Sequence, residues 1–211
     1  MSKVKITGHA SGSGTLTLSA PNTSSDRTIT LPDATGTLLN SDGSGASLTG
    51  LTRSQMPTGS VLQVVQTVKT DTASHDGTSW SSALMSASIT PTDNSNKILV
   101  MYSATMVCSD AAYETYTSLW RDSTQIFLAD AAGSRGRSSG IVGRVDAYAG
   151  ETLSQQYLDS PATASSITYT LKARSSGSGV ISYINRGVTD RDSANYDWRG
   201  ASSLTLMEIG A

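Results

Sequence analysis

One cysteine and one phenylalanine stand in a chain of 211 residues. The lone thiol, Cys108, excludes an intrachain disulfide and any cysteine-based metal spacing. Large aliphatics are scarce: Leu, Ile and Val with the single Phe make 39 residues, under a fifth of the chain. Such poverty signals disorder only alongside high net charge, and the formal net charge is -2. Near-neutral charge also argues against nucleic-acid backbones, which demand clustered Lys and Arg. The longest apolar stretches resemble Ile98–Tyr102, far too short to cross a bilayer, so no membrane insertion is expected. No apolar run follows the start MSKVKITG, and no secretory signal is expected.

What the chain does have is Ser and Thr, 63 residues between them, and 19 Gly. Small polar residues at this density suit β structure with solvated faces, or surfaces buried between chains. The aromatics mark a boundary. Trp80 is the first and Trp198 the last, so residues 1–79 hold none. Residues 1–60 carry ten large aliphatics, too few to fold alone. Yet Thr15-Leu16-Thr17-Leu18 returns as Thr28-Ile29-Thr30-Leu31, each alternating with the two-residue period of a half-buried strand. Short strands of this kind can complete a core by meeting copies from other chains. Residues 41–60 read as a Gly/Ser linker closing on Pro57 and Gly59. The predicted organisation is a 1–56 attachment and trimerisation module with linker, then a 57–211 β-sandwich.

From Val61 the text is strand and turn. Val61–Val68 is β-branched, Met85, Ala87 and Ile89 alternate, and Lys97–Cys108 is long and buried-looking. Tyr113–Trp120 and Gln125–Ala129 flank a short Arg121–Thr124 turn. Thr152–Leu158, Ile167–Arg174, Val180–Asn185 and Ser203–Ile209 complete roughly nine strands. With no convincing helical period, the fold class is all-β: a jelly-roll-like β-sandwich behind a leader that finishes its core by trimerising.

The leader KITGHASGSGTLTLSAPNTSSDRTITLPDATGTLL resembles the amino-terminal segments of tailed-bacteriophage tail fibres. The later phrases GSVLQVVQTVKTDT, NKILVM, DAAGSR, YLDSPATASSITYTLKAR, INRG and SLTLMEIGA resemble a carboxy-terminal domain common in the same proteins. Together they cover most of the chain in the expected order. The resemblance implies a homotrimeric virion fibre, made in the host cytoplasm. Its amino terminus would dock on a tail or baseplate protein. Its carboxy-terminal domain would meet a host surface glycan or outer-membrane protein. Alternatives are a purely structural baseplate or collar decoration, and a glycan hydrolase or esterase.

Enzymatic chemistry finds little footing. Gly136-Arg137-Ser138-Ser139-Gly140 matches G-x-S-x-G, but that motif works where a strand turns sharply into a helix, and no helix signal follows. Both histidines, His9 and His75, precede the motif, whereas that hydrolase order puts the base last. Glycan cleavage needs two tuned carboxylates. Among fourteen Asp and Glu114, Glu151 and Glu208, no pair stands out. Glu208, in the closing strand, reads as a solvent-facing or interchain polar contact. The densest acidic loop, Asp190, Asp192, Asn195 and Asp197, fails the EF-hand pattern because Ala194 and Asn195 hold its fifth and sixth positions. No catalytic residue, metal or cofactor is expected.

Binding has better material. The segment RGVTDRDSANYDWR, 186–199, sets Arg186, Arg191, Asp192, Asn195, Tyr196, Asp197, Trp198 and Arg199 between two strands. Aromatic faces cover the apolar surface of a pyranose while planar polar groups reach its hydroxyls, and Trp, Tyr and Arg dominate protein hot spots as well. If the backbone is extended, Tyr196 and Trp198 point the same way and Asp197 opposite. The alternative is that both rings anchor the loop to the sandwich. A second basic loop, Arg135 and Arg137 with Arg144, suits bidentate contacts to anionic lipopolysaccharide, the alternative being solvated loop charge.

Overall fold

The computed structural model describes residues 10–15, 17, 22–26, 28, 55–143 and 149–211. The repeats at 15–18 and 28–31 lie largely outside the described residues, as do His9 and Arg144. The chain divides into two units, Met1–Leu48 and Thr49–Ala211. Eleven strands are described, all in the second. They are β1 (Val61–Lys69), β2 (Ala73–Asp76), β3 (Met85–Ile89), β4 (Lys97–Cys108), β5 (Thr115–Arg121) and β6 (Thr124–Ile126). The rest are β7 (Gly140–Val142), β8 (Glu151–Asp159), β9 (Ile167–Ser175), β10 (Ile181–Ile184) and β11 (Ser202–Ile209).

Period-two patterning makes these strands and tells them which side to bury. On β4 the even positions Ile98, Val100, Tyr102, Ala104 and Met106 are buried. On β9 it is Ile167, Tyr169, Leu171 and Ala173, as the sequence pattern predicts. Two antiparallel sheets pack these faces together. In the first, β8 borders one side of β4. On the other side β11 and β10 lie end to end, and beyond them β1 and β2. In the second, the order is β3, β9, β5, and then β6 and β7 end to end. Counting each collinear pair as one strand, both sheets are four strands wide, in the arrangement of a jelly-roll-like sandwich.

Two polar clusters pin the sandwich. Asp159, at the end of β8, accepts from Arg121 Nη1 through both oxygens, at 3.0 and 2.9 Å, and from Tyr169 Oη at 2.6 Å. Strands of opposite sheets are thereby tied across a buried carboxylate. Burial first, and then the Asp159 hydrogen bond, push the Tyr169 phenol well above its ordinary range, so it donates and stays protonated. At the other cluster sits Glu208, which the sequence reading placed at the solvent or between chains. It is instead fully buried. Its carboxylate accepts from Thr92 N and Oγ1 at 2.6 and 2.7 Å, from Asn96 Nδ2 at 2.6 Å and from Gln63 Nε2 at 2.6 Å. The reason is register: Glu208 falls on the same face of β11 as Leu204 and Leu206, and that face is the core.

The break between β10 and β11 positions the loop that matters. Both strands run along the same side of β4, so residues 185–201 are an excursion from what would otherwise be one long strand. Asn185 closes the gap. It is buried, with φ of 62°, a left-handed conformation that Asn tolerates better than most residues. Its backbone N donates to Thr105 O, and its carbonyl accepts from Gly200 N. Its side-chain amide donates to Lys69 O and Asp71 O and accepts from Ser202 Oγ at 2.6 Å. One amide thus bridges the β10–β11 break and the β1–β2 break together.

Candidate functional site

Arg186 and Arg199 pair across a two-stranded bridge at the neck of the excursion. Between them Asp190 receives both guanidinium groups, Arg186 Nη1 at 3.1 Å and Arg199 Nη1 in a shorter contact. Arg186 also stacks over the Tyr183 ring, 4.6 Å from its centroid, and donates to Gly187 O and Val188 O. Those bonds spend Arg186 on holding the neck. Arg199 keeps more than half of its side chain exposed despite its ion pair.

Past the neck, Asp197 organises the tip. Its side chain is nearly buried. It accepts from Thr189 Oγ1 at 2.7 Å, from Arg191 N at 2.9 Å and from Arg191 Nε at 2.8 Å. The Thr189 hydrogen bond, and then those from Arg191, hold this carboxyl below its ordinary value against the opposing effect of desolvation. So Asp197 is the tip's internal acceptor. Ser193 O accepts from Tyr196 N and Asp197 N, which makes 193–197 a turn.

That turn changes the aromatic argument. The backbone at Tyr196 is not extended, so alternation does not govern where the rings point. They still line one open hollow of about 450 Å³, together with Arg191, Ala194, Asn195 and Asp197. The rings differ in kind. Tyr196 is 61% exposed and its ring carries the Arg191 guanidinium at 5.0 Å. Trp198 is half-buried, and its indole lies where a Cβ on Gly150 would have to go. Gly200 next to it passes so close over Thr105 that a Cβ there would sit 3.1 Å from the threonine Cβ. Trp198 therefore anchors the loop against the outer side of the first sheet, while Tyr196 stands free of the sandwich. A second hollow of about 440 Å³ shares Arg191, Asp197 and Trp198 and adds Asp190, Asp192 and Arg199.

Arg135 and Arg137 lie elsewhere. Their loop crosses the outer side of the second sheet. There a Cβ on Gly136 would meet the Arg174 guanidinium at 2.7 Å, and that group is stacked between Tyr116 and Trp80. Arg135 Nη1 donates to Ala132 O and Arg137 Nε to Ala129 O, and both residues are exposed. The structure brings eight of the sequence candidates together on one loop and leaves these two on another. Gly150 and Asn185 are the site residues sequence reasoning missed. No local signal in a Ser/Gly-rich chain distinguishes a glycine under an indole from one in a turn.

The G-x-S-x-G stretch runs into strand β7 at Gly140, and Ser139 Oγ accepts from Leu119 N at 2.9 Å. His75 Nε2 lies 2.7 Å from Ser79 O. Among the described residues no three His, Cys, Asp or Glu are grouped to hold a metal, and no helix is long and apolar enough to cross a membrane. No protein-family model matches the chain. No curated protein matches it significantly. The fold and the loop together define a jelly-roll-like β domain with a long loop that carries aromatic and arginine side chains.

Proposed function

We propose that the chain is a homotrimeric tail fibre of a tailed bacteriophage, located in the virion tail. Its amino-terminal segment holds it to a tail or baseplate protein, and the domain beyond residue 57 adheres to a glycan or an outer-membrane protein of the host. The observation that carries the reading is the loop tip: an exposed Tyr196 and a half-exposed Trp198 share one hollow with Arg191 and Asn195. Aromatic faces beside planar hydrogen-bonding groups are what a pyranose ring or a protein hot spot recognises. The order of the leader and strand phrases along the chain supports the phage assignment, and the topology is one that viral and lectin domains use. Function is argued from the loop, since the fold alone hosts many activities.

Three copies would multiply weak single-site affinity into durable attachment while each contact stays reversible. No step of this role calls for catalysis, a metal or a cofactor. The test is adhesion of the fluorescently labelled full chain to a panel of Gram-negative cells, with purified surface polysaccharides as competitors. Saturable binding to some strains, lost in Tyr196→Ala, is the expected result. Uniform failure on every strain, or binding indifferent to Tyr196, overturns the assignment of this loop as the receptor site. Breakdown of the competing polysaccharide during the assay would instead promote the hydrolase reading.

A further inference from the structure

Outside the loop, the outer side of the first sheet is almost free of charge. Register lays it out in rows across β1, β11, β4 and β8. One row reads Val64, Met207, Leu99, Leu158. The next reads Gln66, Thr205, Met101, Gln156, and the third Val68, Ser203, Ser103, Ser154. No Lys, Arg, Asp or Glu stands in these three rows. A solvated sheet face ordinarily carries charges of both signs. Here the edges are apolar instead: Val64 is 54%, Val68 56% and Leu158 47% exposed. Between them an open hollow of about 490 Å³ is lined by Met101, Ser154, Gln156 and Thr205, among others.

We infer that this face is where copies of the chain pack on one another, the Val64 and Val68 edge of one copy seated in the Met101 hollow of the next. The inference rests on the homotrimer reading and names the surface that makes it. Three observations favour a second copy over a different partner. The face offers no charge with which to select a partner of opposite sign, and a face that meets its own copy around an axis must avoid like charges there. Its exposed apolar edge and its hollow are different patches, so the contact is head-to-tail, a kind that forms a ring when its rotation closes. Its size also fits a tethered assembly. Four strands about 4.8 Å apart and three rows about 7 Å apart give roughly 400 Å² of flat area, short of the roughly 800 Å² per partner of a standard interface. Such a contact is weak alone and strengthened by any leader that holds the chains together.

The experiment is sedimentation of the full chain combined with hydroxyl-radical labelling, above and below its association midpoint. The expected species is about 66 kDa, three copies of a 21.9 kDa chain. Met101 and Met207 should react at least fivefold more slowly in it than in the dissociated chain, while Ile141, exposed on the other sheet, is unaffected. The double substitution Val64→Lys and Leu158→Lys should restore fast labelling of both methionines with an unchanged circular dichroism spectrum, whether or not the leader still holds the chains together. Ile141→Lys should change nothing. A trimer whose two methionines label as fast as in the monomer overturns this face and leaves the trimeric fibre standing. A chain that stays monomeric at every concentration overturns both.

Discussion

Strand β11 carries a carboxylate network at each end, and the two are built on opposite terms. At its carboxy-terminal end Glu208 is dry, and its four donors come from the neutral groups of Thr92, Asn96 and Gln63. At its amino-terminal end the excursion pairs Asp190 and Asp197 with Arg186, Arg199 and Arg191, and there the guanidinium groups of Arg191 and Arg199 remain within reach of water. A dry carboxylate with neutral donors is costly to disturb because several hydrogen bonds share it as their acceptor. Ion pairs near water contribute little stability each and are weakened by salt. One end of the strand therefore stores stability, and the other keeps charged groups that a ligand can engage without unfolding the domain.

The largest effect belongs to the stability end. Glu208→Ala removes the shared acceptor of four hydrogen bonds, one of them from the buried Asn96 amide, and should cost roughly 3 kcal/mol, read as a lowered denaturant midpoint at unchanged slope. Acid should expose the same network. Burial raises the Glu208 pKa, but the hydrogen bonds from Thr92, Asn96 and Gln63 outweigh it and leave the carboxyl below its ordinary 4.5. A depressed folded-state value means the stabilisation is fully present above the unfolded value and is lost as pH falls through the folded one. Wild-type stability should therefore decline from about pH 4.5 downward, and Glu208→Gln should flatten that decline. An equally steep acid slope in Glu208→Gln would assign it to another carboxylate.

Glu208 also shows where sequence reading succeeds and where it misreads. The alternation in SLTLMEI puts Leu204, Leu206 and Glu208 on one face, and following it strictly would have placed the carboxylate in the core. Chemical expectation, that Glu faces water, overrode a correct period. The long strands were legible for the same reason, their burial patterns repeating every two residues. β2 and β7 were not: ASHD and GIV are too short and too polar or too Gly-rich to show a period. Nor could the sequence reveal that β10 and β11 are one interrupted strand, because that depends on both pairing with β4. The candidate residues of the loop were visible as a composition. Their division into anchor and tip was not, since it rests on Gly150, far away in the chain.

That division sets the middle-sized effect. Trp198 is half-buried against Gly150, so Trp198→Ala should cost about 1–3 kcal/mol, less than a fully buried aromatic. Gly150→Ala should act from the other side. Its methyl group would occupy the place of the indole and force the ring out, for a similar cost of about 1–3 kcal/mol. Because both changes break one contact, their double mutant should cost clearly less than their sum, a non-additivity of the kind direct neighbours show. Additive losses would mean that indole and glycine stabilise the domain separately.

The smallest effect on stability should accompany the largest effect on adhesion. Tyr196 is 61% exposed, and its described ring contact is the guanidinium of Arg191, itself on the surface. Removing the ring takes away no core area, so Tyr196→Ala should change stability by less than about 0.5 kcal/mol. Tyr196→Phe keeps the stacking face and loses only the hydroxyl. If a sugar or a flat side chain stacks there, Phe should retain most of the adhesion while Ala loses at least tenfold, with the same melting temperature in all three. Loss in both variants would assign recognition to the hydroxyl rather than the face. Retention in both would move the receptor contact off this tip, and Arg135→Ala with Arg137→Ala, on the loop over the opposite sheet, is then the next pair to measure.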